Sequence, residues 1–332
     1  MERCAGRLGL VFMSVVAGVL AGIGLSPAVA AQTYPQRPVT IVVGYPPGGV
    51  ADTAARLLAG ELSKRLGQPV IVETKAGASG MIGAAHVAKA APDGHTLLMG
   101  AMAEIVFTPY MTEMMAYQPD KDLAPVAMAV RYPFLFVTHP TFPARTAKEL
   151  IGLARQNPNQ YTYASSGYGS VQHIAMEMFT RIAGIKLLHI PYKGVAPALT
   201  GVLGNQASMI IGGFPPAIVH VQAGKLNAIG LSTKERLRVA PDIPALAETA
   251  GLEDYDFPVW VALFAPSATP ASILDRLHRE SVAIFSTPEM RTNVEKGGMT
   301  VSDESRAAFA EFVRREAGKY QKIIKDAGIK AG

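Results

Sequence analysis

Short runs of β-branched residues alternate with helically spaced apolar residues along most of this chain, and only an α/β architecture with largely parallel sheets accommodates that order. Val39 to Gly44 reads as a buried strand stopped by Pro46-Pro47-Gly48-Gly49. The segment behind it places Ala51, Ala55, Leu58, Leu62 and Leu66 on one helical face. Asp52 in its first turn, Lys64 and Arg65 in its last and Gly67 just beyond complement the helix dipole and supply a C-terminal cap. Val70–Val72 and Thr96–Met99 follow as strands, the latter after the Pro92-Asp93-Gly94 turn.

The alternation resumes with a strand at Phe134–Val137 and a helix opening at Thr146, where Glu149 completes a capping box. Tyr161–Ala164, Leu187–Ile190, Ser208–Ile211, Ala228–Leu231 and Val259–Phe264 are further strands separated by helical stretches. Two long helices close the chain, at about 270–285 and 304–327. The apolar stripe Phe309, Phe312, Val313, Tyr320 and Ile323 on the second marks core packing. At 332 residues the chain exceeds one ordinary core and suits two domains. It contains no internal repeat and no long linker, so short chain crossings should join them.

The first thirty residues have a different character. Arg3 and Arg7 precede an apolar stretch from Leu8 to Leu25, then Pro27 and the small-residue triplet Ala28-Val29-Ala30. This is the layout of a secretory signal peptide, here residues 1–30, cleaved near Ala30 to leave an exported chain. Cys4, the only cysteine, would leave with it, so the exported protein has no disulfide, thiolate nucleophile or cysteine metal site. No later segment reaches the roughly 20 apolar residues that span a bilayer. The net charge of +5 is small and spread out, without a basic stripe interleaved with aromatics. That argues against a nucleic-acid partner and is compatible with a small anionic ligand.

Ligands of open α/β sheets gather where strands end and helices begin. Three such junctions here are rich in small residues. The first runs Tyr45-Pro46-Pro47-Gly48-Gly49-Val50-Ala51-Asp52, the second from Gly77 through Ala78, Ser79 and Gly80 to Gly83, and the third Ser165-Ser166-Gly167-Tyr168-Gly169-Ser170 into a helix carrying His173. Glycines admit close approach to backbone N–H groups, and a helix N-terminus favours negative charge. None of the three is a P-loop, a dinucleotide fingerprint or a nucleophile elbow. Ser170 and His173, with Glu104, would be the raw material of a periplasmic hydrolase. Without an elbow or triad order, Ser170 reads as a helix start and His173 as a capping or ligand-contacting group, and no catalytic residue is expected. His139, His189 and His220 lack metal-ligand spacing; no metal or cofactor is expected.

The sequence resembles the periplasmic receptors of tripartite tricarboxylate transporters, the Bug receptor family, over essentially the whole exported chain. The matching segments include YPQRPVTIVVGYPPGGVADTAARLLA at 34–59, QPVIVETKAGASGMIGAAHVAKAAPDGHTLL at 68–98, YTYASSGYGSVQHIAMEMF at 161–179 and IPYKGVAPALTGVLGNQ at 190–206. The resemblance implies a two-lobed fold of the type II periplasmic-binding-protein kind with the ligand between the lobes. One lobe would comprise 31–133 and 258–332, the other 134–257. It also implies a small carboxylate held by backbone N–H groups and water. Tyr45, Pro47, Gly48, Gly49, Asp52, Ala78, Ser79 and Gly80 would form that end, and Ser165, Ser166, Gly167, Ser170 and His173 the opposite wall. Membrane permease subunits would be the partners of a monomeric receptor; a periplasmic sensor for a signalling protein would use the same fold.

Two departures bear on the ligand. Ala101, Met102 and Ala103 stand where relatives are usually more polar. Gly212-Gly213-Phe214 follows the strand at 208–211, where many relatives carry acidic residues. The far end of the pocket, including Phe214, therefore reads as apolar, which argues against citrate and amino acids such as aspartate.

Overall fold

A computed structural model describes residues 34–112 and 115–330. The expected signal peptide at 1–30 lies outside the described residues. In chain order the elements are β1 (Val39–Val43), α1 (Val50–Leu66), β2 (Val70–Thr74), α2 (Met81–Ala88), β3 (Thr96–Ala101), α3 (Pro119–Asp122) and β4 (Leu123–Thr138). There follow α4 (Ala147–Gln156), β5 (Thr162–Ser165), α5 (Val171–Ala183), β6 (Leu188–Pro191), α6 (Val195–Leu203), β7 (Met209–Gly213) and α7 (Phe214–Gln222). The chain closes with β8 (Asn227–Leu231), β9 (Pro258–Pro266), α8 (Ala271–Phe285), α9 (Pro288–Lys296) and α10 (Arg306–Ala327).

The strands from Arg37 onward join in one sheet with two half-sheets wired alike. In the first, β1 lies between β2 and β3, all parallel, and β3 pairs antiparallel with β9. In the second, β5 lies between β6 and β7, all parallel, and β7 pairs antiparallel with β4. The expectation of a largely parallel sheet is thus corrected to a mixed one. The sequence shows no repeat, yet its topology repeats, because wiring depends on where helices and strands fall and not on residue identity.

The strand expected at Phe134–Val137 is the end of a 16-residue strand, β4, that belongs to both half-sheets. Leu123 to Pro133 pair with β9, and Phe134 to Thr138 with β7. Pro125 and Pro133 hide the first part from pattern reading, since proline cannot donate to a ladder. Register shifts between Pro125 and Ala127 and between Met128 and Val130 accommodate the interruption.

Side chains alternate across a strand, and β4 uses both faces. Phe134 and Phe136 enter a large core with Tyr163, Phe179, Trp260, Phe309 and Tyr320. Leu135 and Val137 enter a second core with Val202, Ile210, Phe214 and Leu231. The stripe on α10 packs as its spacing predicts, Phe309 and Tyr320 being fully buried. No helix among the described residues is long and apolar enough to cross a membrane.

Where β4 and β9 pass between the half-sheets, Ser232 ties them together. Its hydroxyl accepts from the Phe134 N–H (2.8 Å) and donates to the Phe257 carbonyl (2.7 Å). Its own N–H donates to the Phe134 carbonyl (2.9 Å), and its carbonyl accepts from the Phe257 N–H (2.7 Å). Ser232 is fully buried.

Candidate functional site

With β1 flanked by β2 and β3, the connections leaving β1 and β2 run to opposite sides, and the carboxyl ends of β1 and β3 are where open α/β sheets take their ligands. The first two glycine junctions and the segment after β3 converge there. Gly49 is the N-cap of the 17-residue α1 and provides no side chain to satisfy its first turn. Pro46 to Gly49 are exposed. Gly48 sits at φ +88 and donates its N–H to Asp52 Oδ2 (3.0 Å). Asp52 is buried and also accepts from Arg56 Nε, and those bonds hold its carboxyl below the usual range. Asp52 therefore shapes the turn as a neutralised pair.

The second junction winds left-handed through four consecutive residues, Gly77 (φ +142), Ala78 (+47), Ser79 (+52) and Gly80 (+92). For a non-glycine residue this costs roughly 1–2 kcal/mol, so Ala78 and Ser79 hold the turn against their own preference. α2 then starts at Gly80, again without a side-chain cap. Thr146, Ser170, Thr287 and Ser305 each accept from their helix's first turn, whereas α3, α6, α7 and α8 also start without a side-chain cap.

Glycine contacts and one buried carboxylate bind these junctions together. A Cβ on Gly44 would lie 2.7 Å from the Cα and carbonyl oxygen of Gly80, and one on Gly83 would lie 2.9 Å from Gly44 Cα. Glu104, from the wide helical turn Ala103–Phe107 after β3, is fully buried. Its Oε1 accepts from the Ala101 N–H (2.7 Å), and its Oε2 lies 2.6 Å from the Tyr45 hydroxyl. That hydroxyl also lies 3.1 Å from the Ser79 carbonyl. Burial raises the Glu104 carboxyl to about 7 against the opposing pull of its hydrogen bonds. Ala101 and Ala103 are half-buried beside it, and Met102 is fully buried in the core.

The third junction lies at the equivalent position of the second half-sheet, where β5 ends beside β7. Gly167 (φ +134) and Gly169 (φ +69) flank the exposed Tyr168. Ser165, fully buried, accepts from the Gly167 N–H (3.1 Å) and lies 2.6 Å from His189 Nε2. The Ser166 hydroxyl donates to Gln172 Oε1 (2.8 Å). His173 Nδ1 accepts from the Gly169 N–H (3.0 Å), which fixes the proton of the neutral ring on Nε2. His173 stacks on His189 (centroids 4.1 Å apart), and His189 on Tyr163 (4.7 Å). Gly169 packs close to Met111, which brings this loop to the segment after β3. Phe214, after β7, is buried in the second core and packs tightly against Gly298. Ser170 Oγ accepts from the His173 backbone N–H (3.3 Å), and Glu104 is tied to Tyr45, so the three hydrolase ingredients serve separate bonds.

Burial lowers His173 to about 4, and burial together with neighbouring His173 lowers His189 to about 4. The fold favours the neutral rings, while the unfolded chain takes up protons below about pH 6.5. The stability they contribute is thus full above pH 6.5 and falls as the pH drops toward 4. Imidazole resonances of both rings should stay unchanged by NMR between pH 7 and about 5, while the urea midpoint declines. Either ring titrating near its ordinary value would contradict the packed stack.

The receptor family model described as "Tripartite tricarboxylate transporter family receptor" matches residues 54–329. Protein BugT of Bordetella pertussis (strain Tohama I) is 32% identical to this chain, over 96% of it and 98% of BugT. Among solved structures, R. palustris Rpa4515 with adipate is 30% identical, with a TM-score of 0.77 over 90% of this chain and 99% of that one. MatC (Rpa3494) from Rhodopseudomonas palustris with bound malate is 31% identical, with a TM-score of 0.73 over 88% of this chain and 100% of that one.

Proposed function

The chain belongs to the tripartite tricarboxylate transporter receptor family, and from that premise we propose that it is an exported, monomeric receptor. It captures a small carboxylate between two lobes in the periplasm and presents it to membrane permease subunits. The observation that carries this reading is the convergence of the N-termini of α1 and α2 at the carboxyl ends of β1 and β3, beside the exposed backbone of Pro46 to Gly49 and of Ala78 and Ser79. Such an arrangement favours a carboxylate. Relatives solved with adipate and malate support the same ligand class.

The lobes comprise 31–133 with 258–332, and 134–257. The exchange of partners along β4 between Pro133 and Phe134 supports that division. The ligand carboxylate takes the backbone N–H groups of Gly49 and of Ala78 and Ser79, with Tyr45, Pro47, Gly48, Asp52 and Gly80 shaping the turns. Ala101 and Ala103 line the floor, and Ser166, Gly167, Ser170 and His173 come from the other lobe. Met102, Ser165 and Phe214, all buried, act through packing and internal hydrogen bonds. The ligand touches both lobes and so shifts the population toward the closed form.

A thermal-shift screen of short aliphatic and aromatic mono- and dicarboxylates against their amides tests the proposal. At 100 times its Kd, an acid that binds only the folded state stabilises it by about 2.7 kcal/mol. Gly49 has φ −78, and a Cβ added there would meet only the Pro46 carbonyl oxygen, at 3.8 Å. Gly49→Val should therefore keep the unliganded melting temperature and lose the ligand shift, because the side chain covers the start of α1. Amides that stabilise as well as acids would sink the carboxylate assignment.

A further inference from the structure

Tyr45 has one phenolic hydrogen and two acceptors within reach, Glu104 Oε2 at 2.6 Å and the Ser79 carbonyl at 3.1 Å. With Glu104 ionised, the hydrogen goes to the carboxylate and the exposed Ser79 carbonyl is left to solvent. With Glu104 protonated on Oε2, the acid donates to the phenol, the phenol donates to Ser79, and Oε1 still accepts from Ala101 (2.7 Å). Only the protonated form links Ala101, Glu104, Tyr45 and Ser79 in one continuous chain of hydrogen bonds within the protein.

Among the described residues no side-chain cation offsets a charge on Glu104, which is held by hydrogen bonds alone. Tyr45 from the loop after β1, Tyr117 from the segment before α3 and Tyr132 from β4 are the titratable groups that face it. The Tyr117 hydroxyl donates to the Glu104 backbone carbonyl (2.7 Å). Among the described residues no lysine, arginine or histidine acts on its carboxylate. The carboxylate also lies against the strained turn that begins α2: a Cβ on Gly80 would come within 2.7 Å of Glu104 Cδ. A ligand anion at that turn would face a second negative charge through a medium of low polarity.

We propose that Glu104 is a positioning residue for the anion site: it takes up one proton from solvent as the ligand carboxylate binds, and the protonated acid frees Tyr45 to hold the Ser79 carbonyl and thereby the second glycine junction. This rests on the carboxylate-receptor reading above and adds to it a proton uptake linked to capture. The raised carboxyl of Glu104 places the transition near neutral pH. Since the bound state holds the proton more tightly than the free state, affinity is highest at low pH and falls as pH rises through the free-state value.

The test is isothermal titration of the intact protein with adipate and with malate between about pH 7 and 9, in buffers of different ionisation enthalpy. We expect uptake of up to one proton per ligand and a Kd that rises by up to about tenfold per pH unit. Glu104→Gln retains an acceptor for Ala101 and a donor for Tyr45. It should bind with no proton uptake and with a Kd that does not change with pH. An infrared difference spectrum on ligand addition should show a protonated-carboxyl band in the native protein and none in Glu104→Gln. Binding without proton uptake and with a flat pH profile overturns the role of Glu104 and leaves the receptor reading intact. Proton uptake that persists in Glu104→Gln overturns it equally. If no acid in the wider carboxylate panel binds at all, the receptor reading fails, and this inference with it.

Discussion

Gly44→Ala should abolish carboxylate binding and lower stability by about 1–3 kcal/mol, the range for forcing an extra methyl into a packed interior. Gly44 follows β1, and its missing side chain is the space in which the two glycine junctions cross. Its added carbon would meet the Gly80 backbone at 2.7 Å. Backbone cannot rotate aside as a flexible side chain does, so the turn at 77–80 must move as a unit. That turn is already held in the left-handed region at Ala78 and Ser79 and is braced by Glu104 and Tyr45. A displacement large enough to relieve the contact separates the N-termini of α1 and α2. Denaturant unfolding and calorimetry with adipate and malate measure the two effects. A Gly44→Ala protein that melts and binds like the native one would show that the junctions adjust independently, contrary to this account.

Ser232→Ala should cost about 2–3 kcal/mol, because two bonds made by one buried hydroxyl are lost together and their partners stay buried. The partners are the Phe134 N–H and the Phe257 carbonyl, at the points where the two chain crossings pass between half-sheets. The backbone bonds of Ser232 to the same residues persist, so the protein should remain folded. Amide exchange should accelerate at Phe134 and Phe257 before it changes in the distant strands β2 and β6. Unaltered stability would mean that water replaces the hydroxyl and that the crossing is looser than its geometry indicates.

Much of the fold can be read from the chain because its signals are local. The helix over Val50–Leu66 ends at Gly67 in the left-handed conformation, as its charges and terminal glycine indicate. The Thr146–Glu149 capping box forms both of its bonds. The glycine junctions occur at strand-to-helix turns, where their composition places them. The parts that escaped depend on pairings remote in sequence. The proline-interrupted start of β4 is a strand only because β9, more than a hundred residues later, lies beside it. Ser232 has no motif; its importance comes from Phe134 and Phe257 converging on it. Glu104 looks like a lone carboxylate until Tyr45 arrives from 59 positions away. Phe214 reads as a polar-to-apolar change at a loop, and only the packed structure shows it buried against Gly298.

The continuity of β4 limits how proteins built this way can diversify. A strand that gives its first eleven residues to one half-sheet and its last five to the other cannot be cut at that point without exposing unpaired edges on both sides. Exchange of whole halves between relatives is therefore a poor route to new ligand preferences. Change at the loop tips costs far less, because Pro46 to Gly49 and Tyr168 project from the framework into solvent. A lineage with this scaffold would vary its cargo by small edits at those tips while inheriting the ribbon between the halves unaltered.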